Sequence, residues 1–174
     1  MEYEQLIQGC IENNREYQKT LFDKFAGKFM TIAKRYMKDT MLAEDVLMEG
    51  FYKIYKNLGK FKGEGSFEGW MRRIIVNTAL TKLKQNKHEF NECNLVSAEA
   101  VSIDPTYFET ASAEELLSLI SKLPTGYRTV FNMYVIDGFS HREIANELNI
   151  QEASSRSQLS KAKEFLQKRI NPST

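Results

Sequence analysis

Proline and glycine are scarce in this chain, at three and nine of 174 residues. So few breakers leave room for long helices, and the many charged residues include good helix formers, so helix is favoured over sheet. Cysteine is scarcer still. Cys10 and Cys93 form no CxxC pair, and only His88 and His141 could join them at a metal. No structural metal or other cofactor is expected, each thiol reads as a buried, inert group, and the compartment reads as cytosolic. No apolar run reaches the ~20 residues that span a bilayer, and the acidic start Met1–Glu4 lacks the layout of a signal peptide. Also missing are a Ser/His/Asp set, a carboxylate pair and a phosphate-cradling glycine loop, so neither an enzyme nor a small-molecule substrate is expected.

One further absence is local. From Glu89 to Ser121 there is no lysine or arginine, against seven acidic side chains, a net −7. Residues 60–88 carry seven cations against two acids, residues 122–174 eight against five, and residues 1–59 balance at nine each. A formal charge of +1 thus conceals two cationic modules and an anionic tether between them. Such a layout suits two surfaces that each meet a polyanion, joined by a segment that does not compete for it.

Helical periodicity runs through the first ninety residues. Tyr17, Leu21, Phe25, Phe29, Ala33 and Tyr36 recur at three or four residues, forming one apolar face. Asp39-Thr40 interrupts them and can cap a second helix, whose apolar stripe is Val46, Leu47, Gly50, Ile54 and Leu58. Its other side holds Asp45, Glu49, Tyr52, Lys53 and Lys56. Gly63-Glu64-Gly65 reads as a loop, and a third helix is expected from Ser66 into Lys84. Periodicity then lapses until Ser112, whose spacing to Glu115 is a capping box ahead of Leu116, Leu117, Ile120 and Leu123. Pro124 ends that helix, and another carries Val130, Phe131, Tyr134 and Val135 as far as Gly138. The expected fold class is all-α: a helical domain at 1–90, an acidic flexible linker at 91–111 and a second helical domain at 112–174.

The second domain reads as a helix-turn-helix. Ser140 and Glu143 make a capping box that opens a short helix with Ile144, Ala145 and Leu148 inward. Asn149 can supply the positive φ of a tight turn, and a longer helix follows with Leu159, Ala162, Leu166 and Ile170. At about 100° per residue, Ser154, Arg156, Ser157, Ser160 and Lys161 fall opposite that stripe. Cations among small hydroxyls make a narrow face that fits a major groove: arginine can grip guanine at two points, while serine and lysine mostly hold phosphate.

The basic block of the first domain has a different chemistry. Phe61, Phe67 and Trp70 punctuate Lys60, Lys62, Arg72, Arg73, Lys82, Lys84 and Lys87. On a helix from Ser66, Trp70, Arg73, Asn77, Thr81 and Lys84 align, with Met71, Ile75 and Ala79 opposite. Stacking surface, cations and an amide on one stripe match the needs of single-stranded nucleic acid. The loop Phe61–Ser66 is suited to receive a base turned out of its stack. Core burial is the competing reading for Phe67 and Trp70.

These segments together resemble an alternative bacterial sigma factor of the extracytoplasmic-function group, over about Leu6 to Ile170. Ala43–Phe51 resembles region 2.2, Phe61–Ile74 with Val76–Leu80 resembles regions 2.3 and 2.4, and Leu123–Pro124, Tyr127–Phe131 and the helix-turn-helix resemble region 4. Departures from the family pattern are Met48 for glutamine, Thr81 for aspartate, Asn149 and Gln151 for glycine and serine, and Ser155 at a usually apolar position.

The resemblance implies that Asp45, Glu49, Tyr52 and Lys53 face the β′ clamp helices of core RNA polymerase. It implies that Phe61, Lys62, Ser66, Phe67, Trp70, Arg73, Asn77 and Lys84 melt and read the −10 element of promoter DNA. Region 4 would dock on the β flap and set Ser154, Arg156, Ser157, Ser160 and Lys161 on the −35 element, with the acidic tether lying toward the RNA exit path. An anti-sigma factor, commonly membrane-anchored, is implied as a further partner. Two alternatives stand beside this reading: a sigma-like decoy that binds an anti-sigma protein, and a helix-turn-helix regulator with a helical partner domain.

Overall fold

The structure is a computed structural model that describes residues 3–85 and 113–170. The expected linker at 91–111, Lys87, His88, Cys93 and the Ser112 end of the Ser112–Glu115 box lie outside the described residues. Every regular element among the described residues is helical. Two compact units divide between Lys82 and Leu83.

In the first unit, α1 spans Tyr3–Ile11, α2 Arg15–Tyr36, α3 Thr40–Asn57 and α4 Phe67–Gln85, the last running past the boundary at Lys82, with a 3₁₀ turn at Leu58–Lys60. The helices start where side chains satisfy free N–H groups. Asn14 Oδ1 accepts from Glu16 N–H at 3.0 Å ahead of α2, and Asp39 Oδ1 accepts from Leu42 N–H at 3.0 Å ahead of α3. Such caps typically stabilise a helix by ~1 kcal/mol. The expected face of α2 is the one that packs: Leu21, Phe25, Phe29, Ala33 and Tyr36 are buried.

Across from that face α3 sets Phe51, whose ring lies 4.7 Å from Phe22 and 5.8 Å from Phe29. Burying each such ring contributes roughly 1.5–3 kcal/mol, so the α2–α3 pair outweighs either cap. The two helices are in direct contact, and α1 lies along α2. Helix α1 was not foreseen, because only Leu6, Gly9 and Cys10 are buried across its nine residues. So short a span shows no repeat.

Met71, Ile75 and Ala79 of α4 are fully buried, and Ile75 meets α3 at Gly50. Gly50 makes the approach possible, since a Cβ there would run into Cδ1 of Ile75. Before α4 the chain turns through Gly63 at φ 74° and Gly65 at φ 81°, backbone that other residues rarely adopt.

In the second unit, α5 spans Ala113–Ser121, α6 Thr125–Phe131, α7 His141–Leu148 and α8 Glu152–Ile170, and α5, α6 and α7 all pack on α8. Arg128 is buried at 2% exposure, and its guanidinium points at the carbonyls of Ser121 and Leu123, 3.5 and 3.4 Å away. A cation at the C-terminal end of α5 complements the carbonyls that the helix leaves open.

One expectation is corrected here. An unbroken helix to Gly138 would continue the α pattern through Tyr134 and Val135, but α6 ends at Phe131 and the chain widens into a π segment at Asn132–Ile136. The N–H of Asp137 reaches five residues back to Asn132 at 2.9 Å. The wider turn shifts the phase, leaving Tyr134 and Val135 40% and 47% exposed. Sequence periodicity cannot register an extra residue in one turn.

Candidate nucleic-acid interface

The first surface belongs to α4 and the loop before it. Phe61, Phe67 and Trp70 form a three-ring cluster, with centroids 5.2 Å apart for Phe61–Phe67, 5.5 Å for Phe61–Trp70 and 5.9 Å for Phe67–Trp70. Phe67 and Trp70 are nearly parallel, at 16°. Within the cluster the burdens differ: Phe67 is buried, while Phe61 and Trp70 are half-buried. Phe67 therefore leaves the set of residues presented to a ligand and becomes the floor beneath the other two. Tyr3 of α1 supports that floor edge-on at 6.2 Å, and Lys24 covers the Tyr3 ring at 4.3 Å. Tyr3 was missed because its helix was missed.

Along α4 the stripe continues as expected, with Arg73, Asn77, Thr81 and Lys84 exposed. Ser66 is exposed at the helix start, where its Oγ accepts from Gly69 N–H at 3.3 Å, and Lys62 is exposed in the loop. Thr81 turns its hydroxyl back to the Asn77 carbonyl at 2.9 Å, so that oxygen is engaged while the Asn77 side chain stays on the surface. Aromatic platform, arginine, amide and lysine thus run in order from the loop to the end of the helix.

A second surface of the same unit lies on α3. Asp45, Glu49 and Tyr52 are exposed and Lys53 half-buried. Met48 at 61% and Tyr52 at 64% exposure make an apolar strip, extended by Met41. The carboxylates beside it are partnered: Glu49 with Lys53 at 2.7 Å, and Asp45 with Lys82 at 3.5 Å. Lys53 also donates to Thr78 Oγ1 at 3.3 Å, tying the strip to α4.

The second unit carries the turn motif. Ser140 Oγ accepts from Glu143 N–H at 3.2 Å while Glu143 accepts from Ser140 N–H at 2.9 Å, a complete capping box. Asn149 adopts φ 55°, ψ 48°, the left-handed turn between α7 and α8. On α8, Arg156 is exposed, and Ser154, Ser157, Ser160 and Lys161 are half-buried. Two of the five are met by acids of their own helix: Arg156 by Glu152 at 2.9 Å and Lys161 by Glu164 at 3.4 Å. Lys168, at 2.8 Å, together with Lys161 holds the Glu164 carboxyl below its usual range.

Ser155 is fully buried, with its Oγ 2.9 Å from Nδ1 of His141. A polar residue at this inward position does not loosen the packing, because it has a partner. Tyr134 stacks on the same imidazole at 4.3 Å and 20°. This three-residue contact was not anticipated. Its members lie seven and fourteen residues apart on three elements, and the π turn sets the first of them.

No group of three metal-ligating side chains occurs among the described residues. Burial pushes the Cys10 thiol up, away from reactivity, as expected of an inert buried cysteine. No helix among the described residues is long and apolar enough to cross a membrane.

Residues 21–89 match the Sigma-70 region 2 family and residues 113–166 the Sigma-70, region 4 family, in the order in which the two surfaces occur. The chain belongs to the sigma-70 family, in its extracytoplasmic-function group. It is similar to the RNA polymerase sigma-H factor of Pseudomonas aeruginosa, 26% identical with 95% of this chain and 94% of that protein aligned. It is equally similar to the ECF RNA polymerase sigma-E factor of Haemophilus influenzae, 26% identical over 96% and 94%. In fold it resembles the sigma factor RpoE solved with the anti-sigma factor NepR from Bartonella quintana, at TM-score 0.53 and 18% identity over 86% and 94% of the two chains. The sigma-70 family is not an enzyme class, and an alternative sigma factor function follows from the relatives.

Proposed function

We propose that this sigma factor opens the −10 element with α4 and reads the −35 element with α8. Phe61 and Trp70 provide stacking surface, Asn77 meets a base edge, and Lys62, Ser66, Arg73 and Lys84 hold the backbone of the separated strand. Ser154, Arg156, Ser157, Ser160 and Lys161 enter the major groove of intact duplex. The strip at Met48 and Tyr52, with Asp45, Glu49 and Lys53, faces core polymerase. The working domains are 1–90 and 112–174, joined by 91–111, and the protein acts in the cytoplasm without catalysing a reaction of its own.

The observation that carries this reading is the α4 stripe. A half-buried aromatic pair stands at the head of an exposed arginine, amide and lysine on a rigid helix, which a duplex-only reader has no use for. That weighs against an ordinary helix-turn-helix regulator, and against a decoy that never touches DNA. An anti-sigma partner is part of the proposal. Both RpoE, with NepR, and CnrH, with the cytosolic domain of CnrY, are similar chains seen with such companions or other proteins. In-vitro transcription with core polymerase tests the whole reading. New promoter-specific starts dependent on this protein are expected, and their absence from a genome-wide template pool refutes it.

A further inference from the structure

Ile144, Ala145 and Leu148 of α7 and Leu159 and Ala162 of α8 are buried, and α8 is packed by α5, α6 and α7 together. Close packing limits the roll of α8, but burial is not itself directional and leaves the finest setting of that roll to directional bonds. A hydrogen bond is directional. The bond between Ser155 Oγ and His141 Nδ1, at 2.9 Å, joins the inward side of α8 to the first residue of α7. Tyr134 clamps the other partner by stacking on its ring, and is itself placed there by the π segment.

Arg156 follows Ser155 directly. Successive residues of a helix differ by about 100° in direction, so a pin at one sets the heading of the next. Two-point recognition of a base tolerates an error of only about 0.5 Å and 10–20°.

We propose that His141 and Ser155 are positioning residues for −35 reading, fixing the roll of α8 so that Arg156 is aimed at a base edge. This rests on the assignment of α8 to the −35 element. Neither residue touches DNA in this account. Burial first, then the nearby Arg156 and Lys163, lower the pKa of the imidazole, and its place at a helix N-terminus, where positive charge is unfavourable, acts in the same direction. Glu152 acts in the opposite sense.

The experiment uses the full-length chain assembled with core polymerase. It measures the ratio of affinities for a matched promoter and promoters singly substituted in the −35 element, alongside thermal unfolding of the free chain. His141→Phe keeps a ring against Tyr134 and loses Nδ1. The ratio is expected to fall by about tenfold, within the range of one two-point base contact. Adding Ser155→Ala removes the stranded hydroxyl, so stability returns toward wild type while the ratio stays low. His141→Asn sets an amide near the position of Nδ1 and restores most of the ratio. The proposal is overturned if the double variant recovers the ratio along with stability, because the bond is then only structural. It is also overturned if His141→Phe leaves the ratio unchanged while Arg156→Ala lowers it. If Arg156→Ala changes nothing either, the −35 assignment of α8 fails and the proposal goes with it.

Discussion

Replacing Arg156 by alanine separates what the side chain does for the fold from what it does for a promoter. In the free chain its guanidinium is held by Glu152 at 2.9 Å, one turn back, with the two side chains 58% and 43% exposed. Solvent screens a pair so open, and exposed pairs at this spacing contribute only about 0.3–0.5 kcal/mol. Alanine returns a little of that through its better helix propensity. Thermal stability should therefore move by less than ~0.5 kcal/mol. A two-point contact to guanine is worth ~1–3 kcal/mol of discrimination, so the matched −35 site should lose about 5–150-fold in affinity while the fold is hardly touched.

Glu152 sharpens the comparison. Arg156 must leave it to reach a base, so Glu152→Gln should tighten binding about twofold for the loss of the same ~0.4 kcal/mol pair. Equilibrium competition with promoter duplexes substituted one base pair at a time gives both numbers. The Arg156→Ala loss should concentrate at one base pair. Lys161→Ala should weaken all sequences alike and reduce the salt slope by about 1. An Arg156→Ala loss spread evenly over matched and substituted sites would mean that Arg156 holds phosphate, and the guanine assignment would be wrong.

Asn77→Ala should leave initial duplex binding unchanged and impair opening, because the amide is on the exposed stripe and outside the core; normal permanganate reactivity at the −10 element would exclude the base-edge role. Gly50→Val should cost about 1–3 kcal/mol in denaturant unfolding, since its side chain must displace Ile75 from the α3–α4 contact. An unchanged midpoint would contradict so close an approach. His141 has its pKa lowered from 6.5 in the folded chain, by burial first and by Arg156 next. The folded state thus binds protons less readily than the unfolded one, and stability present above pH 6.5 is lost as pH falls through the folded pKa. In His141→Phe that acid-side slope should flatten, and an identical slope would place the titration elsewhere.

Helices with a long buried face were readable in the sequence because burial imposes its period on many residues at once. Tyr17 through Tyr36 and Val46 through Leu58 turned their apolar sides inward as the spacing required. So did the local devices whose chemistry lies within four residues, namely the Ser140–Glu143 box and the left-handed Asn149. Features fixed by tertiary contact were not readable. Helix α1 is defined by what it lies against, the π segment by one displaced carbonyl, and the His141–Ser155 bond by the crossing of two helices. In the candidate sites the stripe on α4 followed from spacing, but the division of labour within the ring cluster did not. Phe67 and Trp70 have equal claims by composition, and only the Tyr3 ring pressed against Phe67 decides which of them is floor.

The acids beside the proposed contacts also bear on mechanism, and of their pairings only Asp45 with Lys82 lies beyond the reach of helical spacing. Glu49 meets Lys53, Asp45 meets Lys82, Glu152 meets Arg156, and Glu164 meets Lys161 and Lys168. Each pair is too exposed to contribute much to stability. Each must nevertheless be exchanged for a phosphate, a base or a protein surface when its cation is used. The same small penalty applies on random duplex and on a matched site, so it lowers both affinities by the same factor and leaves their ratio unchanged. Over several cations the effect multiplies. A surface of self-paired charges thus tempers affinity for all duplex alike, and neutralising Glu152 and Glu164 together should raise affinity for random duplex and for a matched promoter by the same factor. No gain on either, measured by competition at one salt concentration, would show that the acids serve only the helix.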